Sequence, residues 1–137
     1  MRILVTGANG QLGNEMQVLA KENPQHTYYF TDVQELDICN KDAVWAYIAE
    51  KRIELIVNCA AYTAVDKAED DSELAYKLNS EAPKTLACAA QFNGAAMIQV
   101  STDYVFDGTA HIPYTEECDP CPNSYMEQRN LKENMRY

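Results

Sequence analysis

The sequence predicts an α/β fold built as a doubly wound parallel sheet. Four short segments with strand character recur along the chain, and helical stretches of ten or more residues separate them. This alternation is typical of parallel strands joined by right-handed crossovers. A glycine-rich turn directly follows the first segment, as it does in sheets that bind nucleotides. The alternation stops after the fourth segment, so we expect the sheet to be incomplete beyond that strand.

The predicted strands are short runs rich in aliphatic, β-branched or aromatic residues, which favour extended structure. They cover Arg2–Thr6, Thr27–Thr31, Glu54–Asn58 and Ala96–Val100. In the usual strand order 3-2-1-4-5 of such sheets, the fourth strand becomes an exposed edge when no later strand follows it.

Three helices are predicted from apolar residues at helical spacing. The first covers residues 11–22, with Leu12, Met16 and Leu19 on one face. The second follows Asn40, a suitable N-cap, and carries Val44, Trp45 and Ile48. The third runs from Ser72 to about Asn93, where we expect Pro83 to divide or kink it. From Asp107 the pattern changes to a loop rich in Pro, Asp and Glu.

Composition narrows the class of protein and its partners. A chain of 137 residues with 47% hydrophobic residues is long enough for one domain with a buried core. Its net charge of −10 disfavours nucleic acid or an anionic membrane as a partner. Thr6 and Gly7 interrupt the first apolar run, which therefore does not resemble a signal peptide. We expect a cytoplasmic protein.

The five cysteines are expected to be reduced thiols, since their number is odd and no secretion signal is seen. Cys118 and Cys121 form a Cys-x-x-Cys pair, but neither a second pair nor a suitably spaced histidine completes a zinc site. The sequence alone therefore predicts no metal centre and gives this pair no redox role.

The most specific motif is the turn Thr6–Gly13, which lies between the first strand and the first helix. Glycines at positions 7, 10 and 13 allow a tight turn, a close approach to a pyrophosphate and close packing of helix on strand. Asp32 follows the second strand, where a carboxylate binds the adenosine ribose. This context predicts a nicotinamide dinucleotide site on a Rossmann fold.

The Gly-x-x-Gly-x-x-Gly spacing resembles that of the extended short-chain dehydrogenase/reductases. Asp32 favours NAD, because no arginine stands beside it to pair with a 2′-phosphate. The cofactor is accordingly predicted as NADP or NAD, with the preference left open.

Two further blocks make the resemblance closer. They are Asn58–Glu69, after the third strand, and Ser101–Gly108, after the fourth. Both resemble the dTDP-4-dehydrorhamnose reductases, and the resemblance covers residues 1–124. It implies an oxidoreductase that uses NAD(P)H to reduce dTDP-4-dehydro-L-rhamnose to dTDP-L-rhamnose, in the synthesis of nucleotide sugars and surface polysaccharide. A dTDP-sugar would then be its substrate.

The resemblance also implies roles for individual residues. The residues that would contact the dinucleotide are Gly7, Gly10, Gln11, Leu12, Gly13, Asp32, Asp37, Ile38, Ala61, Tyr62 and Thr63. Thr102 would act in catalysis and contact the substrate together with Asp103. Asn79 matches an asparagine that helps relay protons in the superfamily, although a surface or helix-bending role fits it equally well. Phe106 and Tyr104 are expected to anchor the core or a loop. For Ala61, a packing role is as compatible with the sequence as contact with the dinucleotide.

The sequence departs from the family after residue 124. The family's tyrosine donates a proton and is followed four residues later by a lysine. Here Tyr125 arrives one position early, and Arg129 stands where the lysine would be. We therefore divide the chain into a dinucleotide-binding domain, 1–124, and an atypical polar tail, 125–137.

Restoring one base after the codon for Ser124 allows a reading frame with the family's Tyr-Gly-x-x-Lys-Leu pattern. This suggests a single-base deletion that replaced the C-terminal part of the enzyme with a short tail. We expect a chain of this sequence to be catalytically inactive, with Tyr125 as the remaining candidate proton donor.

Two other functions stay open. One is another extended-family enzyme, a nucleotide-sugar epimerase or dehydratase. The other is a non-catalytic dinucleotide-binding module, such as the regulatory subunit of methionine adenosyltransferase, and the absent lysine favours it. The sequence does not determine the oligomeric state.

Overall fold

The computed structural model describes residues 1–63, 72–101, 105–115, 117–119 and 121. The chain forms two compact units, Met1–Val100 and Ser101–Tyr137, which we describe separately.

The first unit is built on a parallel sheet of four strands. The strands are β1 (Arg2–Thr6), β2 (Thr27–Thr31), β3 (Leu55–Asn58) and β4 (Ala96–Gln99), in the order β2-β1-β3-β4. Every neighbouring pair is parallel. The predicted α/β class and the four strands are confirmed, with bounds that differ by one residue at most.

The expected strand order is wrong in one respect. The order 3-2-1-4-5 places the third strand beside the second, whereas β3 pairs with β1. Helices on opposite faces of the sheet explain this, because a connection that changes face reverses the direction in which strands are added. Ile56 and Val57 point to opposite faces of the sheet and are both buried, as a strand with both faces covered requires. Among the described strands β4 is an edge, as predicted, and its Ile98 is 52% exposed.

The helices are α1 (Gln11–Glu22), α2 (Lys41–Lys51), α3 (Ser72–Tyr76) and α4 (Ala82–Asn93), with a π-helical turn, Lys77–Glu81, between the last two. Asn40 caps α2 as predicted, since its side chain accepts a hydrogen bond from the N–H of Ala43 at 3.2 Å. No helix in the described ranges is both long enough and apolar enough to cross a membrane.

Pro83 marks the predicted division of the third helical segment. Pro83 lies in the first turn of α4, and the π-helical turn directly precedes this helix. Proline has no N–H to donate to the carbonyl four residues earlier, and its ring crowds that carbonyl, so the helix widens at this point.

The larger core lies between the sheet and the helices α2 and α4. It contains Leu4, Leu36, Ile38, Val44, Ile48, Ile53, Ile56, Ala82, Leu86, Ala89 and Ala90. On the other face, Met16 of α1 packs against a smaller cluster of Ile3, Val5 and Val57. The predicted apolar face of α1 is less buried than its spacing suggests, because Leu12 and Leu19 are 43% and 44% exposed. Only part of that face of α1 contacts the sheet.

The described residues of the second unit contain neither helix nor strand, in agreement with the predicted loop. The ring of Phe106 stacks on that of Tyr114, with centroids 4.2 Å apart and planes 1° from parallel. The Tyr114 hydroxyl donates to the carboxylate of Asp107 at 3.0 Å. Phe106 is therefore a loop anchor, as predicted, while Tyr104 lies outside the described residues.

Candidate functional site

The strand order creates a crevice at the carboxyl end of β1. Both β2 and β3 pair with β1, so successive strands are added on opposite sides of β1. Ligands of open parallel sheets bind where the order reverses in this way. Gly7, after β1, and Ala60, after β3, face each other at this point.

Two glycines allow the backbone segments around the crevice to approach closely. Gly7 has φ of +64°, and a Cβ atom there would lie 2.7 Å from the backbone N and Cα of Ala60. Gly13 is buried, and a Cβ atom there would lie 2.6 Å from the Cα of Ala8 and overlap the carbonyl oxygen of Gly7. Both positions therefore require glycine for the fold itself.

Gly10 differs from the other two because it is exposed and has ordinary extended backbone angles. It precedes α1, and the first helical hydrogen bond runs from the N–H of Asn14 to its carbonyl at 2.9 Å. The amides of Gln11, Leu12 and Gly13 therefore come before the helical ladder, where N–H groups point out of the helix end. No acidic residue lies in this first turn. Such a helix start attracts phosphate.

Asp32 lies beside the glycine turn, as predicted. Its Oδ2 accepts a hydrogen bond from the N–H of Asn9 at 3.1 Å, and its Oδ1 accepts one from Val33 at 2.8 Å. These bonds orient a half-buried carboxylate next to the start of α1. A carboxylate accepts further hydrogen bonds at its remaining lone pairs, as a ribose diol requires.

The next two predicted residues have different environments. Asp37 is exposed and accepts a hydrogen bond from the N–H of Cys39 at 2.9 Å. Ile38 is buried in the larger core. Burial, and then the neighbouring carboxylate of Asp37, raise the pKa of the Cys39 thiol, which stays neutral.

The loop after β3 forms the other wall of the crevice. Ala61 and Thr63 are exposed and Tyr62 is half-buried, so exposure favours a binding role over packing for Ala61. The Asn79 side chain accepts a hydrogen bond from the N–H of Tyr62 at 2.8 Å and donates one to its carbonyl at 3.1 Å. Asn79 is half-buried in the π-helical turn, and it holds the loop to that turn. The proton-relay role stays a prediction.

A polar row beneath the crevice was missed by the sequence analysis. The Thr6 hydroxyl donates to the Oδ1 of Asn58, and the Asn58 Nδ2 donates to the Oε1 of Gln99 at 2.7 Å. Thr6 and Asn58 are both buried. The signal was present, because each of these three apolar strands ends in a polar residue. Only the strand register shows that the three residues are neighbours.

The predicted catalytic and substrate-binding residues Thr102, Asp103 and Tyr125 lie outside the described residues, so their roles stay predictions. Within the described ranges, no group of three or more His, Cys, Asp or Glu side chains could hold a metal ion. Burial raises the pKa of the Cys59 thiol beside the crevice, which disfavours a thiolate there. Cys59 is therefore not an activated nucleophile at the crevice.

The chain is similar to proteins of one family. The model of the family described as the RmlD substrate binding domain matches residues 1–135. A dTDP-4-dehydrorhamnose reductase of Aggregatibacter actinomycetemcomitans is 44% identical over 115 residues, which are 84% of this chain and 39% of that protein. One of Burkholderia thailandensis is 40% identical over 134 residues, 97% of this chain and 44% of that protein. The chain thus spans less than half the length of these relatives.

Solved structures show the same likeness. A dTDP-4-dehydrorhamnose reductase from Clostridium acetobutylicum has a TM-score of 0.92 and 48% identity, covering 98% of this chain and 48% of that one. One from Bacillus anthracis, in complex with NADP, has a TM-score of 0.87 and 36% identity, with the same coverage. A Thermus thermophilus UDP-glucose 4-epimerase in complex with NAD has a TM-score of 0.87 but 19% identity, which shows the fold alone. The Rossmann fold is confirmed, while the predicted boundary after residue 124 stays a prediction.

Proposed function

The chain belongs to the RmlD substrate binding domain family, and from that membership we propose that it carries the dinucleotide-binding part of a dTDP-4-dehydrorhamnose reductase. One observation carries the proposal. At the reversal point of the sheet, the glycine turn contacts both the Asp32 carboxylate and Ala60, at the start of the loop after β3.

The proposed cofactor is NADP or NAD, and the residues present fit such a group. The amides of Gln11–Gly13 hold the pyrophosphate, and the exposed Gly10 lets it approach the backbone. Asp32 binds the hydroxyls of the adenosine ribose. Asp37 and Ile38 line the adenine end, and Ala61–Thr63 line the path toward the nicotinamide. The NADP complex of the Bacillus anthracis relative supports this assignment.

The proposed reaction reduces the 4-keto group of a dTDP-4-keto sugar to an alcohol. The bound dinucleotide supplies the hydride that the carbonyl carbon takes up. The carbonyl oxygen must also gain a proton. In the family a tyrosine donates it, and Tyr125, which arrives one position early, is the remaining candidate in this chain. Thr102 orients the carbonyl by a hydrogen bond, and Asp103 contacts the sugar. The product is dTDP-L-rhamnose, a precursor for surface polysaccharide, and the proposed location is the cytoplasm.

Titration with NADPH and NADH, followed by their fluorescence, tests the dinucleotide site. We expect weak binding that Gly10→Val abolishes, because the new side chain occupies the space into which the pyrophosphate fits. The nearest atom to a Cβ at Gly10 is the carbonyl oxygen of Gly7 at 3.3 Å, so this variant is expected to fold. Ala49→Val, which adds bulk at an exposed position of α2, is the matched control and should bind normally. Binding by a folded Gly10→Val variant at wild-type affinity contradicts the site.

A chimera tests the reductase assignment. Residues 1–124 replace the aligned part of the Clostridium acetobutylicum relative, and NADPH oxidation is measured with dTDP-4-dehydrorhamnose. We expect the folded chimera to turn over substrate and its Thr102→Val variant to lose most of that activity. A folded chimera that binds NADPH without turnover favours the non-catalytic dinucleotide-binding module instead.

A further inference from the structure

Cys118 and Cys121, in the second unit, are two exposed free cysteines separated by two residues. The N–H of Cys118 donates to the carbonyl of Thr115 at 3.1 Å, which closes a turn from Thr115 to Cys118. The same turn places two polar groups of Thr115 at the Cys118 sulfur. Its backbone N lies 3.4 Å from Sγ, and its Oγ1 lies 3.5 Å from Sγ.

These contacts favour the thiolate form of Cys118. The side chain of Thr115, followed by its backbone N–H, lowers the pKa of the Cys118 thiol, and the opposing effects of burial and of Asp119 are smaller. The pKa values of Cys39 and Cys59 are shifted in the opposite direction, mainly because desolvation disfavours the charged form of those thiols. The thiolate is the nucleophilic form of cysteine, so Cys118 should react faster than Cys39 and Cys59, which serve as internal references.

Cys121 supplies a second thiol close by along the chain. Its backbone N–H donates to the carbonyl of Val105 at 3.0 Å, which anchors its backbone while its side chain remains exposed. The Cys-x-x-Cys spacing is that of proteins that exchange thiols and disulfides, in which the first cysteine attacks and the second resolves the mixed disulfide. In this pair the Thr115 contacts at the Cys118 sulfur accompany the Cys-x-x-Cys spacing.

We propose that Cys118 and Cys121 form a thiol–disulfide exchange site whose substrate is a low-molecular-weight disulfide such as oxidised glutathione. The Cys118 thiolate attacks one sulfur of that disulfide, its S–S bond breaks, and one glutathione thiolate leaves. Cys121 then gives its proton to solvent and attacks the Cys118 sulfur, which releases the second glutathione thiolate. The protein dithiol is oxidised to a disulfide by two electrons, and the glutathione disulfide is reduced to two thiols.

Competitive alkylation of the intact chain tests the activated thiol. The chain is treated near neutral pH with limiting iodoacetamide, and labelling of each cysteine is measured by peptide mass spectrometry. We expect Cys118 to react at least about threefold faster than Cys39 or Cys59. Thr115→Val should lower the Cys118 rate by about threefold, whereas Thr115→Ser, which retains the hydroxyl, should preserve it. Equal labelling of Cys118 and the two reference cysteines overturns the proposal.

Incubation with oxidised glutathione tests the exchange step. In the wild-type chain, the peptide that contains both cysteines should lose two hydrogens and retain no glutathione. Cys121→Ser should accumulate a mixed disulfide on Cys118, because the resolving thiol is absent. Persistent glutathione adducts on the wild-type pair, or no increase in the mixed disulfide in Cys121→Ser, overturn the proposal. Neither assay depends on dinucleotide binding, so this result and the proposed reductase function are tested separately.

Discussion

The side-chain amide of Asn79 forms two hydrogen bonds with the backbone of Tyr62. Its Oδ1 accepts from the Tyr62 N–H at 2.8 Å, and its Nδ2 donates to the Tyr62 carbonyl at 3.1 Å. Asn79 belongs to the π-helical turn, and Tyr62 to the loop that follows β3. One amide therefore fixes a loop of the proposed site through its main chain, whatever side chain the loop carries at that position.

Removing this amide should weaken dinucleotide binding. Asn79→Ala leaves the backbone N–H and carbonyl of Tyr62 without these partners, so we expect the unfolding free energy to fall by about 1–3 kcal/mol. NADPH affinity should fall severalfold, because the loop after β3 is no longer held against the helix. Urea denaturation and fluorescence titration measure the two effects.

Asn93→Ala is the matched control for Asn79→Ala. Asn93 lies at the end of α4, and its Nδ2 donates to the carbonyl of Ala89 at 2.8 Å. This variant also removes an asparagine hydrogen bond from the same helical segment, but outside the proposed site. NADPH affinity that falls equally in both variants contradicts a specific role for Asn79.

Alanine substitutions should separate the structural glycines from the binding glycine. Gly13→Ala places a methyl group against the carbonyl of Gly7 and 2.6 Å from the Cα of Ala8, so α1 must move. We expect a loss of about 1–3 kcal/mol, as for other overpacked sites. Gly10→Ala meets only the Gly7 carbonyl oxygen, at 3.3 Å, and should cost less than about 1 kcal/mol. Thermal and urea denaturation compare the two, and equal costs contradict this division of roles.

The elements that the sequence predicted correctly are those encoded by local patterns. Apolar runs gave the strands, and the hydrogen-bonding capacity of Asn40 gave the start of α2. The position of Asp32 beside the glycine turn was predictable because parallel neighbouring strands place their carboxyl ends together.

Features that depend on contacts distant in sequence could not be predicted in the same way. The pairing of β3 with β1 depends on which sheet face each helix covers. The exposure of Leu12 depends on how far α1 extends over the sheet, which helical spacing does not specify. The contact of Asn58 with Thr6 and Gln99 follows from strand register alone.

The Asp107 carboxylate should make the second unit sensitive to acid. The backbone N–H and hydroxyl of Thr109 and the hydroxyl of Tyr114 donate to this carboxylate and hold its pKa below the ordinary value of 3.8. Because the pKa is lowered in the folded state, the stabilisation is complete above pH 3.8 and is lost as the pH falls through the folded-state pKa.

NMR shifts of the Tyr114 ring, which is stacked on Phe106, report the loss of these hydrogen bonds. We expect a transition with its midpoint below pH 3.8. Asp107→Asn should remove this transition, while Asp119→Asn, in the same unit, should leave it in place. A midpoint at or above the ordinary aspartate value in the wild-type chain contradicts the assignment.

Substitutions in the polar row should have graded costs for the stability of the first unit. Asn58→Leu leaves the buried hydroxyl of Thr6 without its acceptor and the Gln99 carbonyl without its donor. A leucine side chain also lacks the acceptor that the N–H of Ala60 uses, at 3.3 Å. Each unsatisfied buried group costs about 1–3 kcal/mol, so we expect a loss larger than that of any single hydrogen bond.

Thr6→Val removes one donor and leaves Asn58 bonded to Ala60 and Gln99, so its cost should be about 1 kcal/mol. The double variant has neither the Thr6 hydroxyl nor the Asn58 acceptor, so no unsatisfied hydroxyl remains. Its loss of stability should therefore be smaller than the sum of the losses in the two single variants. Urea denaturation of the four proteins in this cycle measures the coupling, and strictly additive losses contradict the hydrogen-bonded row.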